Sequence, residues 1–238
     1  MDYERIRNFI LSYTSVNGGV LYNIRKKAEE TEVPIIRKDT EDFLKVLIGI
    51  HKPCEILEVG TAVGYSTIFF AEELRALYDK KANLNDKNNK KNIINDTKWH
   101  IDTCEMDTDR ISEAKKNISD AGFESFITIH QGDASDTLKR FVEEEKKYDF
   151  IFIDAAKAQY MDYLKSAIKL SHEGTIIVTD NIFGDGDVLE SHFLVEKRDR
   201  TIHDRMREYI YHITHSDNLV TTLISVGDGL GVSLVNIR

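Results

Sequence analysis

The sequence predicts an α/β fold: a wound, mostly parallel sheet flanked by helices, ending in an antiparallel strand pair. Three observations carry that expectation. From Glu55 onward short apolar runs alternate with amphipathic stretches of helical period, the pattern of a parallel sheet with helical crossovers. A glycine-bearing turn, Gly60 to Gly64, directly follows the first apolar run. Near the C-terminus the tight Gly227-Asp228-Gly229 separates two further runs, as in a hairpin.

Residues 1 to 50 hold three segments of helical period, with Ile6, Phe9, Ile10 and Tyr13 on one stripe and Phe43, Leu44, Leu47 and Ile48 on another. Breaks fall at Asn17-Gly18-Gly19 and Val33-Pro34. Strands are expected at 55–60, 100–105, 127–130, 148–154 and 175–179, with helices near 65–78, 107–121, 134–146 and 159–170 between them. A Gly/Asp-rich loop, 181–188, precedes a long amphipathic stretch around 192–214 and then strands at 219–225 and 231–237. These make seven strands. Residues 79–98 carry six Lys and six Asn without core periodicity and read as a solvated insertion. No functional weight falls on the 227–229 turn, and the whole chain, 1–238, is read as one domain.

Net charge is -9, from 32 Lys and Arg against 41 Asp and Glu, which disfavours nonspecific coating of nucleic acid. No apolar run is long enough to span a membrane, the N-terminus lacks a signal peptide's apolar stretch, and the chain reads as cytoplasmic. Cys54 and Cys104 cannot form a disulfide framework or a C-x-x-C metal site, and read as small buried side chains.

The turn after the first strand reads Glu58-Val-Gly60-Thr61-Ala62-Val-Gly64-Tyr65-Ser66. The dinucleotide fingerprint G-x-G-x-x-G fails because Ala62 and Tyr65 occupy its second and third glycine positions, so NAD and FAD are disfavoured. The E-x-G-x-x-x-G pattern resembles instead motif I of class I S-adenosylmethionine methyltransferases. A second carboxylate is expected at the end of strand 2 for ribose hydroxyls. Glu105 meets that expectation once the insertion is subtracted from its spacing to Gly60. Gly132-Asp133-Ala134 closes strand 3, where an adenine would lie.

Strand 4 ends at Asp154 and strand 5 at Asp180-Asn181, and parallel strands deliver these residues to one edge of the sheet. Two carboxylates and an amide oxygen form a hard, all-oxygen donor set suited to Mg²⁺ or Ca²⁺. Lys157, three residues past Asp154, lies close enough to influence a metal-bound hydroxyl.

Together ILEVGTAVGYST, the glutamate of CEMD, QGDA, FIDAAKAQY, TDNIFGDG and SVGDGLGVS resemble the metal-dependent O-methyltransferase family that includes catechol and caffeoyl-CoA methyltransferases, from about Val33 to the C-terminus. The short N-terminal helices, VPII and AAKAQY are most similar to bacterial tRNA 5-hydroxyuridine methyltransferases. The resemblance implies a Rossmann-like fold with a seven-stranded mixed sheet. It implies S-adenosylmethionine against Glu58, Gly60, Thr61, Gly64, Ser66, Glu105, Asp133, Ala134 and Asp154. It further implies Mg²⁺ or another divalent ion on Asp154, Asp180 and Asn181, with Lys157 and Asp154 catalytic. The acceptor is expected to be 5-hydroxyuridine in tRNA or, alternatively, a small catechol-like aromatic; a homodimer through the N-terminal helices is expected. This sequence departs from its relatives in the Lys/Asn insertion and in the GDGDV that follows Asn181.

Other candidates are weaker. His212 and His215 lack a third metal ligand. Asp180 to Asp187 mimics half a calcium loop but Ser191 stands where the closing Glu belongs. Ser66 and Ser135 lack a nucleophile-elbow setting. Lys197, Arg198, Arg200, Arg205 and Arg207, possible phosphate contacts with Arg37 and Lys38, equally suit a solvated helix face. The rival from another class, a catalytically silent cofactor- or RNA-binding module, predicts loss of Asp154, Lys157, Asp180 or Asn181, and all four are present.

Overall fold

The computed structural model describes residues 3–14, 18–85 and 98–236, with the side chains of Tyr3, 79–85 and Asp185 outside that description. Seven strands form one sheet in the order β3-β2-β1-β4-β5-β7-β6. They are β1 (Glu55–Val59), β2 (His100–Glu105), β3 (Ile127–Gln131), β4 (Tyr148–Ile153), β5 (Ser171–Thr179), β6 (Leu219–Ile224) and β7 (Leu230–Val235). The first five are parallel; β7 pairs antiparallel with both β5 and β6. This is the expected mixed sheet.

Strand β1 sits mid-sheet, with Leu57 flanked by Asp102 of β2 and Ile151 of β4. Being covered on both faces, β1 and β4 are buried along almost their whole length, and β4 is apolar but for Asp149. Alternation along β4 divides the core: Phe150 and Phe152 face one cluster with Leu44, Ile48, Ile68 and Phe70, while Ile151 and Ile153 face another with Phe141, Tyr160, Tyr163 and Tyr209. The first layer is built from α2 (Gly19–Thr31), α3 (Lys38–His51), α4 (Tyr65–Asn85) and α5 (Thr108–Ala121). The second is built from α6 (Ala134–Glu143), α7 (Tyr160–Lys169) and α8 (Arg200–His215). Helix α1 (Tyr3–Leu11) lies ahead of both.

Four boundaries differ from the sequence expectation. Helix α4 continues to Asn85, into the stretch expected to be solvated; the rest of that expectation, 86–97, lies outside the described residues. Strand β5 begins at Ser171, because Ser171 pairs with Tyr148 before a register shift. A short 3₁₀ segment, Gly184–Leu189, interrupts the loop after Asn181. Helix α8 starts only at Arg200: the Arg200 guanidinium donates to the carbonyls of Val195 and Phe193, which stabilises a turn where the amphipathic pattern suggested helix. Among the described residues no helix is long and apolar enough to cross a membrane.

Candidate active site

The strand order reverses between β1 and β4, and a cavity of about 780 Å³ opens at the carboxyl ends there. Such switch points are where open α/β sheets bind ligands, since the two flanking connections leave in opposite directions. Gly60, Thr61, Ser66, Glu105, Asp133, Ala134, Asp154, Asp180 and Asn181 all line it. Glu58, Gly64 and Lys157 do not.

Gly60 lets the two strand ends close up. Its φ is +109°, and a Cβ there would stand 2.0 Å from the Asp154 carbonyl oxygen. The Asp154 amide donates to the Val59 carbonyl at 2.9 Å in the same place. Any side chain at 60 would drive β1 from β4.

Glu58 lies behind the wall, fully buried. Its Oε2 accepts from the hydroxyls of Thr103 (2.7 Å) and Thr67, and Thr103 in turn meets Thr61 at 2.6 Å. Burial pushes its carboxyl up to about 7 despite these donors. Its Oε1 finds no hydrogen-bond partner, an unmet acceptor at the base of the glycine turn. Gly64 packs against Ala114 instead of facing the cavity.

Glu105 ends β2 and braces two loops. Its Oε2 accepts the Ala62 amide at 2.9 Å, and Oε1 accepts the amides of Met106 and Asp107 at 2.8 and 2.9 Å. A carboxylate has about four lone-pair directions, so one remains for a ligand hydroxyl. Asp133 caps α6 by accepting from the Ser135 amide at 2.7 Å.

Asp154 and Asp180 meet at the mouth. The Asn181 Nδ2 donates to Asp154 Oδ1 at 3.1 Å, and the Asn181 amide donates to Asp180 Oδ1 at 2.7 Å. Asn181 takes a left-handed φ of 60°, the kind of local strain that accumulates at functional sites. Burial first, then the Asp154 charge, raises Asp180 to about 7; burial also raises Asp154. Two buried carboxylates that repel one another suit a hard divalent cation between them, and the Asn181 carboxamide, which here turns its Nδ2 to Asp154, has its oxygen as a further hard donor.

The 227–229 turn, given no role from sequence, forms part of the cavity wall through Asp228. Arg37 holds that carboxylate with two contacts, Nε to Oδ2 at 2.8 Å and an Nη to Oδ1 at 2.5 Å. The Gly227 amide donates to Asp39 at 3.2 Å. The N-terminal segment therefore closes over the site by gripping the last hairpin, a pairing across 191 residues that no local pattern announces.

Comparison with known proteins decides what kind of site this is. A family model described as "O-methyltransferase" matches residues 14–236. The chain belongs to the O-methyltransferase family. It is 33% identical over 191 residues to a catechol O-methyltransferase of Niastella koreensis, covering 79% of this chain and 77% of that protein. A caffeoyl-CoA O-methyltransferase of Populus trichocarpa is 27% identical over 81% of this chain and 71% of its own. In fold it is similar to the O-methyltransferase of Bacillus cereus solved with SAH, at TM-score 0.76 and 23% identity, covering 98% of this chain and 97% of that one. It is an S-adenosylmethionine-dependent O-methyltransferase.

In this O-methyltransferase Lys157 opens a 3₁₀ turn ahead of α7, and its Nζ lies against the backbone of the next loop: a Cβ on Gly184 would stand 2.8 Å from it. The charge of Lys157 acts on Asp154, favouring the ionised carboxylate. The expected phosphate-binding cations are mostly engaged internally. Arg205 donates to the Ala158 carbonyl, Arg207 to that of Glu190, Arg198 pairs with Glu196 and Asp199, and Lys38 pairs with Glu41. His215 stacks on Tyr211, so His212 and His215 share no ligand geometry. Cys104 is buried and Cys54 half-buried, both as free thiols.

Proposed function

We propose that this chain transfers the S-adenosylmethionine methyl group to a hydroxyl that has a second oxygen beside it, with a divalent cation, preferentially Mg²⁺, held by Asp154, Asp180 and Asn181. The paired, burial-raised carboxylates beside the Asn181 carboxamide carry this reading. When bound, the cation supplies the Lewis acidity that lowers the acceptor hydroxyl's pKa. Glu105 holds the cofactor's ribose through its remaining lone pair. Ser66, Thr61 and the Gly60 backbone receive the amino-acid end, with Glu58 fixing that turn from behind, and Asp133 and Ala134 flank the adenine. The charge of Lys157 favours the ionised form of Asp154 against burial, and its amine, which lies behind the cavity wall, would assist removal of the acceptor proton on turning inward. Asp154, Asp180 and the closed N-terminal segment fix the oxygen nucleophile in line with the methyl carbon.

A small catechol-like aromatic is the acceptor we favour, because adjacent oxygens form a five-membered chelate and the arginines of 198–207 are already committed to this chain's own carbonyls and carboxylates. The second reading is 5-hydroxyuridine in tRNA, whose 5-hydroxyl and 4-carbonyl offer the same bite. What favours it is Phe193, 83% exposed on the loop before α8, a stacking platform for an unpaired base. Purified enzyme assayed in parallel on catechol and on hydroxyuridine-containing tRNA separates them. Methylation confined to the tRNA refutes the favoured acceptor.

The apolar stripe that runs from α1 into the turn after it supports a homodimer. Phe9, Ile10 and Tyr13 are 64%, 50% and 77% exposed, more apolar surface than one short arm ordinarily displays.

A further inference from the structure

Away from the acidic site, three potential metal donors converge where the loop following Asn181 meets the start of α8. The ligand atoms of His192, His203 and Asp204 all lie within 4.8 Å of one another. His203 is buried at 2% exposure, its Nδ1 2.9 Å from Asp204 Oδ1 and its Nε2 3.1 Å from the Glu190 carbonyl. His192 Nδ1 approaches the same Asp204 oxygen at 2.8 Å.

The two ring nitrogens of His203 both face acceptor oxygens. A carbonyl only accepts, so Nε2 carries a proton, which leaves the Nδ1 of a neutral ring as a lone pair aimed at a carboxylate oxygen. Acceptor against acceptor is repulsive unless a positive species lies between them. One solution is a second proton, which makes a buried imidazolium; the other is a cation that both groups ligate. Donation of the far ring N–H to a backbone carbonyl is how ligating histidines are usually oriented. The Glu190 carbonyl has this role here, and Arg207 also donates to it at 3.1 Å.

We propose that His192, His203 and Asp204 form a second metal site, for a borderline ion of the Zn²⁺ or Co²⁺ type, with open positions for water. Two imidazoles and one carboxylate select such ions, whereas the all-oxygen set at Asp154, Asp180 and Asn181 selects Mg²⁺. Bonds of about 2.0 to 2.2 Å around a tetrahedral ion require ligand separations wider than the present contacts. His192 and Asp204, whose side chains are 41% and 56% exposed, have room to open by that amount. The ion would staple the loop that carries Gly184, and with it the ground against which Lys157 rests, to α8.

The test is Co²⁺ titration of the full chain in excess Mg²⁺, followed by visible d–d absorption and by Tm, for wild type, His192→Ala and Asp204→Ala. Both substitutions fall on solvent-accessible side chains outside the methyl-transfer site, and circular dichroism checks that the variants fold. The site predicts that wild type takes up a single Mg²⁺-resistant Co²⁺ with histidine-type absorption and a raised Tm. Each variant should bind at least roughly tenfold more weakly. No Mg²⁺-resistant Co²⁺ binding to wild type, the outcome of the buried-imidazolium arrangement, overturns the proposal. So does binding that both variants retain at full strength.

Discussion

Glu58 is a carboxylate whose surroundings oppose its own charge, and that gives it a pH signature. Its folded value of about 7 lies above the ordinary 4.5, because burial outweighs the hydroxyls of Ser66, Thr67 and Thr103. Between those two values the folded chain holds a proton that the unfolded chain has released, so stability falls as pH rises from about 4.5 to about 7 and levels off above. Glu58→Gln removes that slope. Denaturant titrations should show the variant gaining on wild type by roughly 3 kcal/mol from about pH 4.5 to about pH 8. A constant difference across that range would contradict the burial argument. At the opposite wall, Asp154→Ala and Asp180→Ala should abolish turnover while calorimetry still detects cofactor binding. Glu105→Ala should weaken cofactor binding by about 1.5 to 3 kcal/mol through its lost ribose contact. Equal loss of cofactor affinity in all three variants would refute the division of roles. Asp154, Asp180 and Asn181 were legible in sequence because strand ends in a parallel sheet share an edge. The unmet Oε1 of Glu58 was not legible, since satisfaction of a buried atom depends on packing.

Among the elements, α2, α3 and α4 are joined beside the cavity by Glu41, which is 1% exposed and holds Arg25, Lys38 and the Tyr65 hydroxyl. Removing one member of a buried ionic cluster strands the others, so Glu41→Ala should cost about 3 to 5 kcal/mol in equilibrium unfolding. A loss below about 1 kcal/mol would mean that water reaches the cluster. The central strands and their helices were readable because two-sided burial leaves apolar runs and 3.6-residue periods. The late start of α8 was not, because Arg200 satisfies loop carbonyls by a tertiary contact. The contribution of the 227–229 turn was hidden for a related reason: Arg37 and Asp228 meet only once the sheet has brought the two ends of the chain together.

Over the whole molecule, the exposed stripe of Phe9 and Ile10 on α1 and Tyr13 in the turn after it predicts self-association. Light scattering at tens of micromolar, about the concentration at which weak dimers persist, should return twice the 27.4 kDa chain mass. Phe9→Asp with Tyr13→Asp should shift it to the monomer; a wild-type monomer would contradict the expectation. The α/β order and the switch point were legible at this scale from the alternation of elements alone. The choice of acceptor was not, because catechols and hydroxyuridine present the same pair of adjacent oxygens, and the surface around the cavity mouth is assembled from loops. In the proposed function Asp154, Asp180 and Asn181 hold the cation while Glu105, Asp133 and the glycine turn hold the cofactor, and only the two together transfer a methyl group. The direct measurement is S-adenosylmethionine binding by calorimetry alongside methyl transfer to catechol, each with Mg²⁺ and with chelator. Cofactor should bind in both conditions and turnover should occur with Mg²⁺ alone; full turnover in chelator would contradict a role for the cation.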